Sequence, residues 1–256
     1  MDWSSGQYSK FETERSRPAA DLLARVATEG VASVVDLGCG PGNSTELLAE
    51  RFPQAGILGI DLSEDMLAAA RARLPTVEFR NEDIAAWKSD VPVDVIFANA
   101  SLQWVPDHET LFPALVAGLS KGGTLAVQMP DNLDEPTHKL MRLVANEGPW
   151  AEKLAGIEAE RAGRHDATWY YTLLGGRGAH SIDIWRTTYH HPLAGAGAVV
   201  EWLKGTGLRP YLARLDAGEV EGFLDRYRVA IEGAYPALAG GTVLLPFPRL
   251  FVVAVA

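Results

Sequence analysis

Val34-Val35-Asp36-Leu37-Gly38-Cys39-Gly40-Pro41-Gly42 is the stretch on which the fold turns. An apolar, β-branched run leads into an acid and then into three glycines at alternate positions. Asn43 to Arg51 follows at once with a helix-like pattern. Strand, glycine turn and helix in this order bring bare backbone amides up against a ligand.

Working outward, Ile57 to Ser63 is a second short apolar run that ends in an acid. Asp61 stands nineteen positions after Gly42. At that distance the second strand of a βαβ unit ends beside the first turn, and its carboxylate accepts two ribose hydroxyls. Ser63 caps the next helix, with Glu64 and Asp65 in its first turn, and Met66 there packs on a flat ring. The third run is Val77 to Arg80, and Asp83 follows it. The fourth is Val93 to Ala100, followed by Ser101-Leu102-Gln103-Trp104. A helix carries Leu111, Phe112, Leu115, Val116 and Leu119, with Pro113 making it begin late or bend. Lys121-Gly122-Gly123 closes it before a fifth strand, Thr124 to Met129.

Alternating strands and helices predict an α/β fold, a parallel sheet with helices on both faces. After Pro130 the rhythm breaks. Residues 133–180 and 197–239 read as helical insertions, too long for plain loops, capping one domain that spans 1–256. Between them Ile182 to His190 reads as a strand, and Phe247 to Val255 as a last, buried one. At the other end, 1–28 is an N-terminal helical region with Leu22, Leu23 and Val26 on one face. It is either a solvated helix on the core or a lid whose Arg15 or Arg17 meets a carboxylate.

The chain has 256 residues, 47% hydrophobic and 22% charged, with a formal net charge of −10. That charge argues against a nucleic-acid partner, which needs a basic field. It permits an anionic small molecule, because a few arginines override the global sign at short range. Cys39 is the single cysteine, so no disulfide forms within the chain and no cysteine metal cluster is possible. His190-His191 is no metal site by itself, since neighbours on a strand face opposite sides. No signal-peptide pattern opens the sequence, and the longest apolar run, Leu250 to Ala256, is far short of the ~20 residues of a bilayer span. We expect a soluble, cytoplasmic chain without a membrane partner or metal.

The glycines choose among nucleotides. A dinucleotide site wants Gly-x-Gly-x-x-Gly, and a P-loop wants a lysine after the turn. Here the spacing is Gly38-x-Gly40-x-Gly42, followed by Asn43-Ser44-Thr45. Pyrophosphate is poorly served.

Asp36 to Gly42, then Gly59-Ile60-Asp61-Leu62-Ser63, then Asn81-Glu82-Asp83-Ile84, together resemble the successive cofactor motifs of class I S-adenosylmethionine-dependent methyltransferases. The resemblance implies a Rossmann-like, seven-stranded, mostly parallel sheet of order 3-2-1-4-5-7-6 with an antiparallel last strand. It also implies insertions after strands 5 and 6, where 133–180 and 197–239 fall. For the cofactor it implies that backbone near Gly38, Gly40 and Gly42 lines the methionine and ribose. Asp36 meets the amino group through water. Asp61 takes the ribose hydroxyls, Met66 packs the adenine, Asp83 accepts from the adenine amine and the Ile84 amide donates to the ring, with Leu62 also among the cofactor-binding residues. The Asn99 carbonyl lies near the methionine ammonium.

Further segments carry the resemblance through the chain to members that methylate a carboxylate of a small tricarboxylic alkene. These are Tyr8 to Ala19, Phe97 to Trp104, Val127 to Asn132, Asp183 to Tyr189, Thr206 to Pro210 and Phe247 to Phe251; the stretch from Gly148 to Ala179 resembles them least. A carboxylate nucleophile is ionised at pH 7 and needs no general base, so the work is positioning. Cations belong on its spectator carboxylates, where arginine's fork suits. The candidates are Arg15, Arg17, Arg186 and Arg249, with His190 behind them and Tyr8, Gln103 and Trp104 shaping the wall. A different carboxyl or small-molecule O-methyltransferase (one acting on a malonyl carrier protein, for instance), a nicotinamide oxidoreductase and a non-catalytic binding protein remain as alternatives.

Overall fold

The computed structural model describes residues 12–27, 29–157 and 165–256, with side chains in the N-terminal helix from residue 16 onward. After α1 (Glu12–Leu23), strands and helices alternate: β1 (Ser33–Leu37), α2 (Asn43–Arg51), β2 (Gly56–Asp61), α3 (Glu64–Arg73), β3 (Glu78–Asn81) and β4 (Val93–Asn99). A short 3-10 turn (Leu102–Trp104) leads to α4 (His108–Ala117) and β5 (Leu119–Pro130). Then come α5 (Pro136–Glu147), α6 (Ala151–Leu154), α7 (Ala167–Gly175), β6 (Ser181–Leu193), α8 (Gly195–Lys204), α9 (Arg209–Leu212), α10 (Ala217–Ala234) and β7 (Val243–Val255).

The strands form one sheet in the order β3-β2-β1-β4-β5-β7-β6. The contacts from β3 to β5 are parallel and β7 runs antiparallel to β5. This is the order and the antiparallel last strand that the resemblance implied. Strands buried on both faces read as near-continuous apolar runs, as Phe247 to Ala254 of β7 does apart from Pro248 and Arg249. At the amino ends Asp94 fastens three strands. Its carboxylate accepts from the Ser120 hydroxyl at 2.6 Å and from the amides of Ala32 and Ser33 at 2.9 and 3.0 Å. These bonds, Ser120 first, hold it below the usual carboxylate range.

Several local expectations shift. Helix α1 runs through Pro18. The loss of one amide bond there is offset by a buried face that continues through Ala19, Leu22 and Leu23. Helix α4 runs through Pro113 and ends at Ala117, so Lys121-Gly122-Gly123 does not close it. Those residues form an irregularity of β5 instead: Val93 pairs with Leu119 but Val95 with Thr124. Gly122 turns at φ +79°, and a Cβ on Gly123 would stand 2.8 Å from the Ser120 carbonyl.

The chain divides into two compact units. The first comprises Met1–Pro130, Ala162–Thr187 and Arg249–Ala256; the second comprises Asp131–Arg161 and Thr188–Pro248. Part of the expected 133–180 insertion therefore belongs with the sheet. Tyr170 and Leu174 of α7, one helical turn apart and fully buried, lie in the same core as Phe112 and Leu125. The second unit has its own core, where Trp150 packs on Phe223 and the Tyr227 hydroxyl donates to the Thr137 carbonyl at 3.0 Å. Its longest helix, α10, opens on a reciprocal Asp216–Glu219 cap.

Candidate active site

The turn after β1 is tied down by backbone bonds. The amides of Gly38 and Cys39 donate to the Ile60 carbonyl at 2.7 and 2.9 Å. Gly38 has φ +74°, and a Cβ there would meet that of Ser101 at 2.3 Å. The Ser101 hydroxyl in turn donates to the Leu37 carbonyl at 2.6 Å. The loops after β1 and β4 thus approach as closely as backbone allows.

Asp61, at the end of β2, is oriented by two amides. Gly40 N–H donates to Oδ2 and Ser63 N–H to Oδ1, both at 2.9 Å. Each oxygen keeps a lone pair for a ligand. After β3, the Asp83 carboxylate accepts from the Ala85 amide at 2.9 Å and stays exposed. Beyond β4 the chain turns through Ala100, a non-glycine residue at φ +54°. Gln103 Nε2 braces it by donating to the Ala100 carbonyl at 2.6 Å.

These strand ends enclose a cavity of about 370 Å³. Its lining brings together Gly38, Gly40, Asp61, Leu62, Met66, Asp83, Ile84 and Asn99 from the sequence reading, with Ala85, Ala100, Ser101, Trp104, Val105 and Pro106. Leu62, Met66 and Ile84 supply apolar side chains to the lining; Trp104, 44% exposed, stands at the rim. The Asn99 Oδ1 is buried and unsatisfied within the protein, an acceptor awaiting a donor.

Asp36 and Gly42 do not line this cavity. Gly42 packs against Ala70 on α3. Asp36 is fully buried; its Oδ2 accepts from the hydroxyls of Ser44 and Thr45, both at 2.7 Å, and its Oδ1 has no partner within the protein. Burial pushes its carboxyl up to about 6, against the pull of those two bonds. Of the proposed acceptor residues, Trp104 lines the cavity and Gln103 braces its floor. Arg249 is buried on β7 with Nη1 donating to Gln128 Oε1 at 3.1 Å. Arg17 is exposed on α1, and Arg186 and His190 are exposed on β6. Tyr8 and the Arg15 side chain lie outside the described residues.

Sequence reasoning missed two residues here. Gln128 sits beside Asn99 in register. His108, 2% exposed, grips the cavity wall: its Nε2 meets the Leu102 carbonyl at 2.8 Å, and its Nδ1 meets the Tyr170 hydroxyl at 2.6 Å. A carbonyl only accepts, so Nε2 carries the proton and Nδ1 receives Tyr170 O–H. Burial holds this imidazole below its usual range. The helix cap at Asp107, which accepts from the Thr110 amide, was the one local signal that this histidine begins a helix.

The chain is 56% identical to the trans-aconitate 2-methyltransferase of Methylobacterium nodulans, over 99% of this chain and 98% of that one. It belongs to the trans-aconitate 2-methyltransferase family. Members from Variovorax paradoxus and Rhizobium rhizogenes are 52% and 51% identical over 99% and 100% of this chain, and 98% and 99% of theirs. A methyltransferase-domain model matches residues 34–123, which run from β1 into β5. Solved structures share the fold of this family member at low identity. A putative methyltransferase from Bacillus halodurans superposes with a TM-score of 0.59 at 14% identity, over 93% of this chain and 98% of that one. A Haemonchus contortus phosphoethanolamine N-methyltransferase, complexed with S-adenosylhomocysteine, gives 0.56 at 16% identity over 93% of this chain, which spans only 52% of that protein.

Proposed function

We infer that this chain transfers the methyl group of S-adenosylmethionine to a carboxylate of trans-aconitate, leaving a monomethyl ester and S-adenosylhomocysteine. The observation that carries the reading is one cleft into which the ends of β1, β2, β3 and β4 each deliver a residue suited to one part of that cofactor. Asp61, pre-set by two amides, takes the ribose hydroxyls. Met66, Leu62 and Ile84 flank the adenine, and Asp83 accepts from its amine. The glycine turn leaves room for the methionine, and the Asn99 acceptor suits its ammonium. When bound, the cofactor supplies an electrophilic methyl on a sulfonium.

The acceptor carboxylate, with a reference pKa of about 4, attacks already ionised, so no side chain has to remove a proton. Anion and cation neutralise one another on the way to the transition state. Strong donors on the attacking oxygen would therefore favour the ground state. The residues' task is to hold the acceptor by its other carboxylates and to keep the reacting atoms in line. Trp104 at the rim and the buried Arg249 supply an apolar surface and a fixed cation for that purpose. Incubation with methyl-labelled S-adenosylmethionine and a panel of di- and tricarboxylates, malonyl carrier protein included, tests the reading. Base-labile label on trans-aconitate supports it; transfer to none of the carboxylates, or tight NAD binding instead, overturns it.

A further inference from the structure

Three amide side chains at or just beyond the carboxyl ends of β4 and β5 each have a buried atom with no partner within the protein: Asn99 Oδ1, Gln103 Oε1 and Gln128 Nε2. Native proteins leave few such groups, because each forfeits its hydration without compensation. Their orientations follow from chemistry. Gln103 gives its Nε2 to the Ala100 carbonyl, so its oxygen is the idle acceptor. Gln128 gives its Oε1 to the Arg249 guanidinium, which has no acceptor to offer, so its Nε2 is an idle donor.

The strand register sets Asn99, Gln128 and Arg249 in a row. Asn99 pairs with Gln128 across β4 and β5, and Gln128 with Phe251 across β5 and β7. Registered neighbours share a face of the sheet, and so does Arg249, two residues from Phe251. Strands lie ~4.8 Å apart. The residues read as cofactor contacts sit at the ends of β3, β2, β1 and β4, so Gln128 and Arg249 lie one and two strands further along, past the methionine end. That is the acceptor's side.

We propose that Gln128 binds a carboxylate of the methyl acceptor other than the one methylated. Its Oε1 is held by Arg249, which fixes the amide with Nε2 as the remaining donor and puts the guanidinium charge beside the same carboxylate. The idle acceptors of Asn99 and Gln103 suit the cofactor's ammonium, and the idle donor suits an anion, which separates the two ligands along the row. Gln128 is 0% exposed and α1 packs against β5, so this bond forms out of water, where a charge-assisted hydrogen bond discriminates best. The proposal rests on the function inferred above.

Two variants of the full chain test it. Gln128→Met keeps the side-chain volume and removes both polar atoms. Gln128→Glu keeps an acceptor for Arg249 and removes the donor. Methyl transfer by the native chain to trans-aconitate is measured first; its absence refutes the function itself and is distinct from failure of this inference. With native activity in hand, loss of a hydrogen bond to a charged group raises the acceptor KM by roughly 10- to 100-fold in both variants. Calorimetric affinity for S-adenosylhomocysteine stays within about twofold, which also reports that the variant is folded. Near-native acceptor KM in Gln128→Glu shows that holding Arg249 is its whole role and overturns the proposal. An equal loss of S-adenosylhomocysteine affinity in both variants overturns it as well. Should Gln128→Met not fold, the Glu variant decides alone.

Discussion

Asp36 and Gly38, two residues apart in one motif, are constrained for different reasons. Asp36 is a buried carboxylate whose pKa rises from 3.8 to about 6. Between those values the folded chain holds a proton that the unfolded chain releases. Stability from this group is therefore present at low pH and is lost as pH rises through that window, on the order of 3 kcal/mol in all. Urea midpoints measured from pH 4 to pH 7.5 should fall less steeply in Asp36→Asn than in the native chain. Gly38 is limited by space as well as by φ. Gly38→Ala sets a Cβ 2.3 Å from that of Ser101, whereas Gly40→Ala, at φ +54°, meets nothing within 4 Å. The first should cost roughly 2–4 kcal/mol and the second about 1 kcal/mol in denaturant unfolding. Motif spacing revealed that the three glycines matter together. It did not reveal that one faces a serine from sixty residues away, because that approach is made by another strand.

At the scale of elements, the segment from Ala100 to Pro106 forms a wall of the cavity with little regular structure of its own. His108 and Tyr170 hold it, one from the start of α4 and the other from α7. Tyr170→Phe leaves the buried Nδ1 without its donor and should cost roughly 1–3 kcal/mol. Hydrogen exchange of amides 101–106 should quicken more than that of β1, which the change does not touch. The sequence places α7 in the cap, because residues 133–180 read as helices and loops too long for a plain connection. Its apolar pair at 170 and 174 cannot say which surface buries it. A helix stripe specifies that a face is covered, and the covering partner is a tertiary matter.

Over the whole molecule the sheet order disposes the site. The glycine turn, Asp61 and Asp83 end neighbouring strands, so one elongated ligand spans them. A ligand bound to the folded chain alone stabilises it by about 2.7 kcal/mol at a hundred times its Kd. S-adenosylhomocysteine at that excess should raise the Tm by roughly 5–10 °C, and NAD should leave it unchanged. Differential scanning calorimetry checks both arms. No helix among the described residues is long and apolar enough to cross a membrane.

The sequence by itself determined the alternation of strands and helices, the glycine turn and the acids at successive strand ends. These are local patterns whose meaning survives in any fold of the class. It also carried the family resemblance, and with it the strand order. Only the tertiary structure decided that Asp36 accepts from Ser44 and Thr45, that α7 belongs to the sheet core, and that Gln128 and Arg249 meet. Each of those facts depends on a partner far away in the chain. Sequence spacing encodes neighbours along one element, whereas hydrogen-bond pairing across strands is fixed by register and by what else is buried there.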